Sequence, residues 1–284
     1  MMPYSLSTVS GKRPQWLCWG INPGLVELIS RQLMASFTPD EQDFVVTVFE
    51  HDQLEGAESG AVGWCPEALI EEIVLSPSLE MVQGEPIESA GAGARKIMAC
   101  WDGRPVASRL VGHEDVWTIG KLPDVARSRF VYGLQPQIMK VLDQGFAKAK
   151  AELRLPSPHL PVYGKERVAV KVKSQISGTE RIMAWEEDHH RIWQDYGMNA
   201  VQYQTAKALL LALCLLQHSR YGTLAGNFCA ADLPISAADW QVIDQLMSDL
   251  NIDWQNISAK RLRVCPRMPD KTAWSALNCQ HCLG

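Results

Sequence analysis

The hydrophobic pattern is most continuous between Asn199 and His218, where a run rich in Ala and Leu contains neither glycine nor proline. Ala and Leu are strong helix formers, and the stretch Ala208–Leu216 is apolar on every face of a helix. That stretch is much shorter than the roughly 18 apolar residues needed to cross a bilayer. The pattern predicts a buried helix around which the other elements pack, ended by the glycine-containing turn Ser219–Asn227.

The first half of the chain has the pattern of mixed helices and strands. Asn22-Pro23 is a favourable helix start, because Asn can cap and Pro suits the first helical position. Phe44–Glu50 is rich in Val and Phe, as strands are, and Asp102-Gly103 is a strong hairpin turn. The other elements predicted here are strands at 96–101, 105–111 and 116–119, a short helix at 66–74 and an amphipathic helix at 136–153.

The second half begins after the proline-rich segment Leu155–Pro161, which cannot continue a helix. Glu166–Lys173 then alternates, with Val168, Val170 and Val172 on one face, and a Ser177-Gly178 turn predicts a hairpin with Arg181–Trp185. A second helix starts at Ser236 and should pack on the first. We therefore predict an α+β fold with two domains: residues 1–155, mixed α/β with an acidic block, and residues 156–284, a basic β-hairpin followed by a mainly helical part with a cysteine-bearing tail.

Charge is distributed unevenly along the chain. From Gln32 to Ala94 there are thirteen acidic residues and no Lys or Arg. Because the whole chain carries −5, the remainder has an excess of eight positive charges, and 95–182 alone holds sixteen Lys or Arg against eight Asp or Glu. This asymmetry predicts a basic surface suited to nucleic acid, unless the segregated charges simply neutralise each other within one monomer.

Composition and length are those of a globular protein, with 284 residues and 46% hydrophobic content. The N-terminal residues lack the pattern of a signal peptide, and eight scattered cysteines without an export signal suit reduced thiols, so a cytoplasmic location is expected. No Gly-x-Ser-x-Gly elbow and no glycine-rich phosphate loop of known spacing is present.

Three cysteines near the C-terminus are the best candidates for a metal site. Cys279 and Cys282 form a Cys-x-x-Cys pair, and Cys265 supplies a third thiolate for zinc. The fourth ligand is left open among His281, Cys229 and Cys100, and the alternative is a tail of unliganded cysteines.

A second cluster with the residue types of a metal or catalytic centre is Glu186-Glu187-Asp188-His189-His190. Consecutive residues point in different directions, so a solvated charge run leading into the helix is the competing interpretation. The cluster nevertheless defines a rival hypothesis, a zinc-dependent hydrolase or other small-molecule enzyme that uses Glu186, Glu187, His189 and His190.

The segment Met183–Glu187, the Ala/Leu helix and the Ser-Arg glycine turn together resemble part of a known family. They are similar to the C-terminal half of the large-subunit-like protein of type IV CRISPR effector complexes, over Val162–Cys229. The resemblance implies a CRISPR (crRNA-guided) ribonucleoprotein in antiviral defense, and a paired-cysteine zinc knuckle near the N-terminus. Here Cys18 and Cys65 stand alone, and the Cys-x-x-Cys pair is at the far end.

These observations predict a non-catalytic RNA-binding or DNA-binding subunit whose partners are guide RNA or target DNA and the other subunits of a complex, with no membrane and possibly zinc as cofactor. Phosphates would be contacted by the cations of the predicted hairpin and of the glycine turn, Arg167, Lys171, Lys173, Arg181 and Arg220. Two alternatives remain: the small-molecule enzyme above, and a protein–protein assembly adaptor.

Overall fold

A computed structural model describes residues 14–16, 19–56, 58–88, 95–157, 161–224 and 226–264. It confirms the predicted α+β class, with helices laid on a curled, mixed sheet. No helix within these ranges combines the length and the apolarity that a bilayer span requires.

The main sheet has ten strands, eight of them in the order β11-β9-β8-β2-β7-β6-β5-β12, with β3 paired to β7 and β4 to β3. β2 and β7 run parallel and end at the same edge, whereas β8 lies antiparallel to β2. A separate parallel pair joins β1 to β10. The strands are β1 Pro14–Trp16, β2 Phe44–Glu55, β3 Leu79–Val82, β4 Glu85–Glu88, β5 Arg95–Trp101, β6 Arg104–Val111, β7 Val125–Gly133, β8 Tyr163–Ser174, β9 Glu180–Asp188, β10 Gly226–Phe228, β11 Gln255–Ile257 and β12 Leu262–Val264.

The helices connect these strands and cover one face of the sheet. They are α1 Leu25–Met34, α2 Pro66–Ile70, α3 Glu114–Gly120, α4 Pro136–Asp143, α5 Phe146–Glu152, α6 His189–Tyr196, α7 Ala200–Gln217, α8 Ser219–Gly222 and α9 Ala237–Asp249, with a π-helical turn at Glu71–Leu75 and 3₁₀ turns at Pro39–Glu41 and Ala230–Asp232.

The sheet must curl because its two edge strands are neighbours in the chain. β11 pairs with β9 at one edge and β12 with β5 at the other, yet only residues 258–261 connect them. An extended link of that length spans no more than about 18 Å, so the two edges approach each other. The inner side of the curl is filled by one apolar cluster, which includes Phe49, Trp101 and Leu262.

The outer side carries the larger core and is covered by helices. Val46 and Val48 of β2 and Val168, Val170 and Val172 of β8 face α1 and α7 in this core. Strand alternation therefore confirms the predicted valine face of β8 and assigns the opposite face to the inside of the curl, where Ala169 is fully buried.

The prediction that α7 is buried on every side is wrong. Asn199 caps it, as the sequence predicts, and Leu211 is fully buried, but Leu209, Leu210 and Leu213 are 45%, 45% and 54% exposed. Apolarity around the whole circumference does not identify the buried face; among the described elements, α6, α8, α9 and strands β8 and β9 make the main contacts with the helix and leave these leucines exposed.

Two other predicted elements differ from the structure. Residues 116–119 are helical within α3 and not a strand, since His113 precedes a first turn carrying Glu114 and Asp115. Residues 136–153 form two helices, because Gly145 adopts a positive φ of 91° between them. The division into two domains at residue 156 stays a prediction, and β8 beyond that residue pairs along its whole length with β2.

Asn199 connects α7 to the loop that contains Gly63. Its side-chain oxygen accepts from Gln202 N (2.9 Å), and its Nδ2 donates to Gly63 O (3.0 Å). Asn199→Ala should lower the free energy of unfolding by about 1–2 kcal/mol, as losses of helix caps do. Urea denaturation checks this, and Asn199→Ser, which keeps a capping oxygen, should cost less; equal losses would show that the cap contributes nothing.

Candidate functional site

Three acidic residues lie side by side on three adjacent strands. The strand register places Asp52 of β2 opposite Glu166 of β8, and Glu166 opposite Glu187 of β9. All three are buried, with 3%, 0% and 5% exposure respectively. Like charges directly opposite on a sheet destabilise it, and buried charges cost several kcal/mol each, so this carboxylate row (Asp52, Glu166 and Glu187) is not explained by stability.

Strand alternation places the row on the helix-covered face. Glu166 is in phase with Val168 and Val170 of β8, and Asp52 is in phase with Val48 and Glu50 of β2. The row lies at the edge where the parallel strands β2 and β7 end. Ligand sites commonly lie at the carboxyl ends of parallel strands.

Asp52 is held by a loop glycine and a histidine. Gly63 N donates to Asp52 Oδ2 at 2.7 Å, and His189 Nε2 lies 3.2 Å from Asp52 Oδ1. A Cβ at position 63 would lie only 2.6 Å from the same carboxylate oxygen. Glycine is therefore required here by the close approach of the carboxylate.

Gly63→Ala should displace the Asp52 carboxylate and weaken binding of any ligand that contacts it, by about 10-fold if one hydrogen bond to a charged group is lost. The folded state should persist. Calorimetric titration measures the ligand affinity, with Gly20→Ala, whose Cβ would meet its nearest neighbours at 3.6–4.0 Å, as the control for backbone substitution. Unaltered affinity in Gly63→Ala would exclude Asp52 from ligand contact.

His189 begins α6, and its hydrogen-bond partners fix its tautomer. The backbone N–H of Ala200 donates to Nδ1 at 3.1 Å, so Nδ1 is the unprotonated nitrogen. The remaining proton of the neutral ring is on Nε2, which faces Asp52. His189 thus presents an N–H donor to the row and not a lone pair.

Glu166 is the least satisfied member of the row. Neither of its carboxyl oxygens accepts a hydrogen bond from another described residue. Burial, together with the negative charges of Glu50 and Asp52, raises the pKa of Glu166 well above its ordinary value. Glu187, in contrast, accepts bonds from Trp185 Nε1 (2.9 Å) and from Arg191.

A second group of buried ionisable side chains adjoins the row. Glu50, two residues before Asp52, accepts a bond from Asn22, and burial raises its pKa to about 8 although His113 acts in the opposite direction. Burial also raises the pKa of Glu72 to about 7. Proton-binding carboxyl groups are therefore concentrated at this edge of the sheet.

His113 supplies a buried positive charge to that group. Its Nδ1 lies 3.0 Å from Asp115 Oδ1 and its Nε2 lies 3.9 Å from Glu72 Oε1. Burial alone would lower the pKa of His113, but the carboxylates of Asp115, Glu72 and Glu114 outweigh burial and raise it to about 10. The ring stacks on Phe130, with 4.9 Å between centroids.

Asp52, Glu166 and His189 have ligand atoms within 4.8 Å of one another and so are the metal candidates among the described residues. A metal would need the lone pair of His189 Nε2, whereas the Ala200 N–H group leaves the hydrogen there. Their chemistry does not fit zinc. The predicted ligands Cys265, Cys279 and Cys282 lie outside the described residues, and zinc binding by them stays a prediction.

The structure does not bring the predicted nucleic-acid residues together as free cations. Arg167 Nε lies 2.6 Å from Glu186 Oε2, and Lys171 Nζ lies 2.8 Å from Glu180 Oε2. The remaining predicted residues are Lys173, 3.8 Å from Glu180, Arg181, stacked 4.8 Å above the Phe37 ring, and Arg220, in α8, whose side chain is not described. Glutamates of the same hairpin, which do not belong to the acidic block, neutralise much of the basic face.

Of the four residues in the enzyme hypothesis, the structure brings two to the site. Glu187 belongs to the row and His189 faces it. Glu186 pairs with Lys165 and Arg167 on the opposite face of the sheet, and His190 stacks on Tyr163. Sequence reasoning missed Asp52, Glu50 and Glu166. Their signal is present in the pattern, because each is an acidic residue in phase with buried valines.

No family model matches the sequence, and neither does any curated protein. Among solved structures, the chain is similar to the homospermidine synthase of Legionella pneumophila in complex with NAD, with a TM-score of 0.65 and 11% identity. The match covers 87% of this chain and 64% of that one, so the chain spans less than two thirds of the enzyme's length. At this identity the likeness establishes a shared fold.

This likeness corrects the functional prediction. The chain shares the fold of that enzyme, and this finding contradicts the predicted role as a non-catalytic RNA-binding or DNA-binding subunit of a CRISPR ribonucleoprotein. Segregated charge misled the prediction, since the cations of β8 are paired with Glu180 and Glu186 across the hairpin.

Proposed function

We propose that the chain forms part of a small-molecule enzyme whose carboxylate row binds the ammonium group of an organic amine and exchanges protons with it. The observation that carries this proposal is the pair of buried carboxyl oxygens of Glu166, neither of which accepts a hydrogen bond from another described residue. An ammonium group has only donors, so it satisfies these atoms and neutralises their charge.

The protonation state of the row supports a cation better than an anion. The raised pKa of Glu166 favours its protonated, neutral form in the free protein, so an arriving ammonium group displaces that proton to solvent and pairs with the carboxylate that remains. The same carboxyl groups then lie close enough to accept a proton from the amine and leave it nucleophilic. Burial excludes water from this exchange.

The similar enzyme supports an amine as the substrate class. Homospermidine, the compound in its name, is an aliphatic polyamine. The shared fold and the acidic character of the row both favour an amine as the ligand. Every residue assigned to the row belongs to this chain.

NAD, which the similar enzyme contains, does not fit the glycine-bearing loop of this chain. Gly56, Gly60 and Gly63 follow β2, but Val62 N donates to Arg154 O and Gly63 N to Asp52, so neither amide is available to a pyrophosphate. The loop also carries the carboxylates of Glu55 and Glu58, which would repel phosphate. The proposal therefore contains no hydride-transfer step.

Calorimetric titration of the full chain tests the proposal with three probes. n-Butylamine should bind saturably near pH 7, and runs in two buffers of different ionisation enthalpy should show net proton release. Tetramethylammonium, which has the charge but no N–H group, should bind at least about 10-fold more weakly, because each charge-assisted hydrogen bond is worth roughly 1.5–3 kcal/mol. The third probe, Zn²⁺, should not bind at the row. Absence of butylamine binding, or Zn²⁺ binding that Asp52→Asn abolishes, would overturn the proposal.

A further inference from the structure

The inner side of the curled sheet carries a group of cations at the end where β2 and β7 begin. These cations occupy positions of β5, β7 and β8 that are in phase with members of the inner apolar cluster, so their side chains project from the inner face. This basic cluster lies on the face of the sheet opposite the carboxylate row. Its members are Arg95, Arg127, Arg129, Lys171 and Lys173.

The basic cluster surrounds a floor of short side chains on β2. The register gives two rows across β7, β2 and β8, with Arg129, Thr47 and Lys171 in one and Arg127, Val45 and Lys173 in the next. Long side chains on both flanks and short ones on the central strand form a shallow basin. Thr47 is buried on its floor, whereas Arg127 and Lys173 are exposed, so the basin is open to solvent.

The carboxylates in the two rows do not balance the charge of the basin. Glu80 lies 3.3 Å from Arg95, and Glu180 is shared by the two lysines at 2.8 and 3.8 Å. Glu85 of β4 lies in the row of Arg127, with one residue of β3 between them. Within the described strands, five cations therefore face three carboxylates, which leaves an excess of two positive charges.

The two arginines of β7 keep donors available for a ligand. Arg129 Nε donates to Thr47 Oγ1 at 2.9 Å, which orients the guanidinium group, and its terminal nitrogens donate to no other described residue. The side chain of Arg127 has no salt bridge or hydrogen bond within the described ranges. Burial lowers the pKa of Arg129; Glu80 opposes this effect, and the charges of Arg127 and Arg95 add to it. A bound anion would relieve this repulsion.

We propose that the basin binds the phosphoryl group of a phosphate monoester, at a site separate from the carboxylate row. Planar guanidinium groups supply paired N–H donors that match phosphoryl oxygens, and the lysines add charge from the opposite flank. A monoester carries about 1.5 to 2 negative charges near pH 7 and so matches the excess charge of the basin. A phosphodiester carries one. The site therefore selects a small phosphorylated compound over a nucleic-acid backbone, and no covalent step is involved.

Phosphorus NMR of the full chain at low salt tests this site with methyl phosphate and dimethyl phosphate in one sample. The methyl phosphate signal should shift saturably. Dimethyl phosphate, which lacks the second negative charge, should bind at least about 10-fold more weakly. Arg127→Gln should weaken methyl phosphate binding by about 3- to 10-fold, the scale of one exposed contact between charges. The variant should fold normally, because Arg127 is exposed.

The matched control is Lys140→Gln, which removes one exposed positive charge from α4 and should leave methyl phosphate affinity unchanged. Three results would each overturn the site: no binding of methyl phosphate, equal binding of the diester, or the same loss of affinity in Arg127→Gln and Lys140→Gln. The last result would show a general attraction to the charge of the protein. Because the basin and the row lie on opposite faces of the sheet, none of these results bears on amine binding.

Discussion

Glu166→Gln should weaken n-butylamine binding by about 30-fold or more and, at pH 8, make the free protein more stable. The amide keeps the shape of the side chain but removes the charge that faces the ammonium group, and loss of one partner of a buried charge pair costs about 2–5 kcal/mol. Stability should rise by about 1–3 kcal/mol, since the free protein no longer buries a third carboxyl group between Asp52 and Glu187.

The matched control is Glu186→Gln, one residue from the row on β9 but on the opposite face. Glu186 is partly exposed and pairs with Lys165 and Arg167, so its loss should leave amine affinity unchanged and stability equal or slightly lower. Calorimetry and urea denaturation measure the two effects. Glu166→Gln protein that binds butylamine like wild type would remove Glu166 from the site, and equal destabilisation by both variants would mean that the row serves folding.

The free protein should lose stability as the pH rises from 6.5 to 8.5. Burial raises the folded-state pKa of Glu27 and Glu50 to about 8 and of Glu72 to about 7, so these groups keep protons that the unfolded chain has already released near pH 4.5. His113, with its pKa raised to about 10, keeps a proton that the unfolded chain releases near pH 6.5. Each retained proton lowers stability by about 1.4 kcal/mol per pH unit in this window.

His51 opposes this trend, but only at lower pH. Burial lowers the pKa of His51 to about 4, so His51 adds stability as the pH rises from 4 to 6.5 and has no further effect above that. Urea denaturation at pH 6.5, 7.5 and 8.5 should therefore show a steady fall, and Glu50→Gln should make it shallower. Saturating butylamine should offset part of the loss. Stability that is flat or rising over this window would contradict the buried protonated carboxyl groups.

The sequence predicts elements well where the signal is local. Asn199 caps α7, and Asp102-Gly103 and Ser177-Gly178 turn the two hairpins, because capping and turn formation depend on a few adjacent residues. Prediction from the sequence fails where the structure of an element depends on contacts with residues far away in the chain. Residues 116–119 have the composition of a strand but are helical in α3, and the exposed side of α7 carries Leu210 and Leu213.

The carboxylate row could not be predicted from the sequence for a related reason. Alternation in β8 identifies Val168 and Val170 as buried, and the same phase makes Glu166 buried, but only the register reveals that Asp52 and Glu187 flank it. The register between β2 and β8 pairs residues more than one hundred positions apart along the chain, which a linear pattern does not contain. The count of charges predicted a nucleic-acid-binding face instead, because a count cannot show that Glu180 and Glu186 neutralise the cations of the same hairpin.

The most direct test of the central claim, that the carboxylate row holds an ammonium group, is a crystal structure of the chain grown with n-butylamine. The amine nitrogen should lie within hydrogen-bond distance, about 2.7–3.2 Å, of both Asp52 and Glu166, with its alkyl chain directed along β2 toward Leu54. A row that contains only water, or a metal ion coordinated by His189 Nε2, would contradict the account.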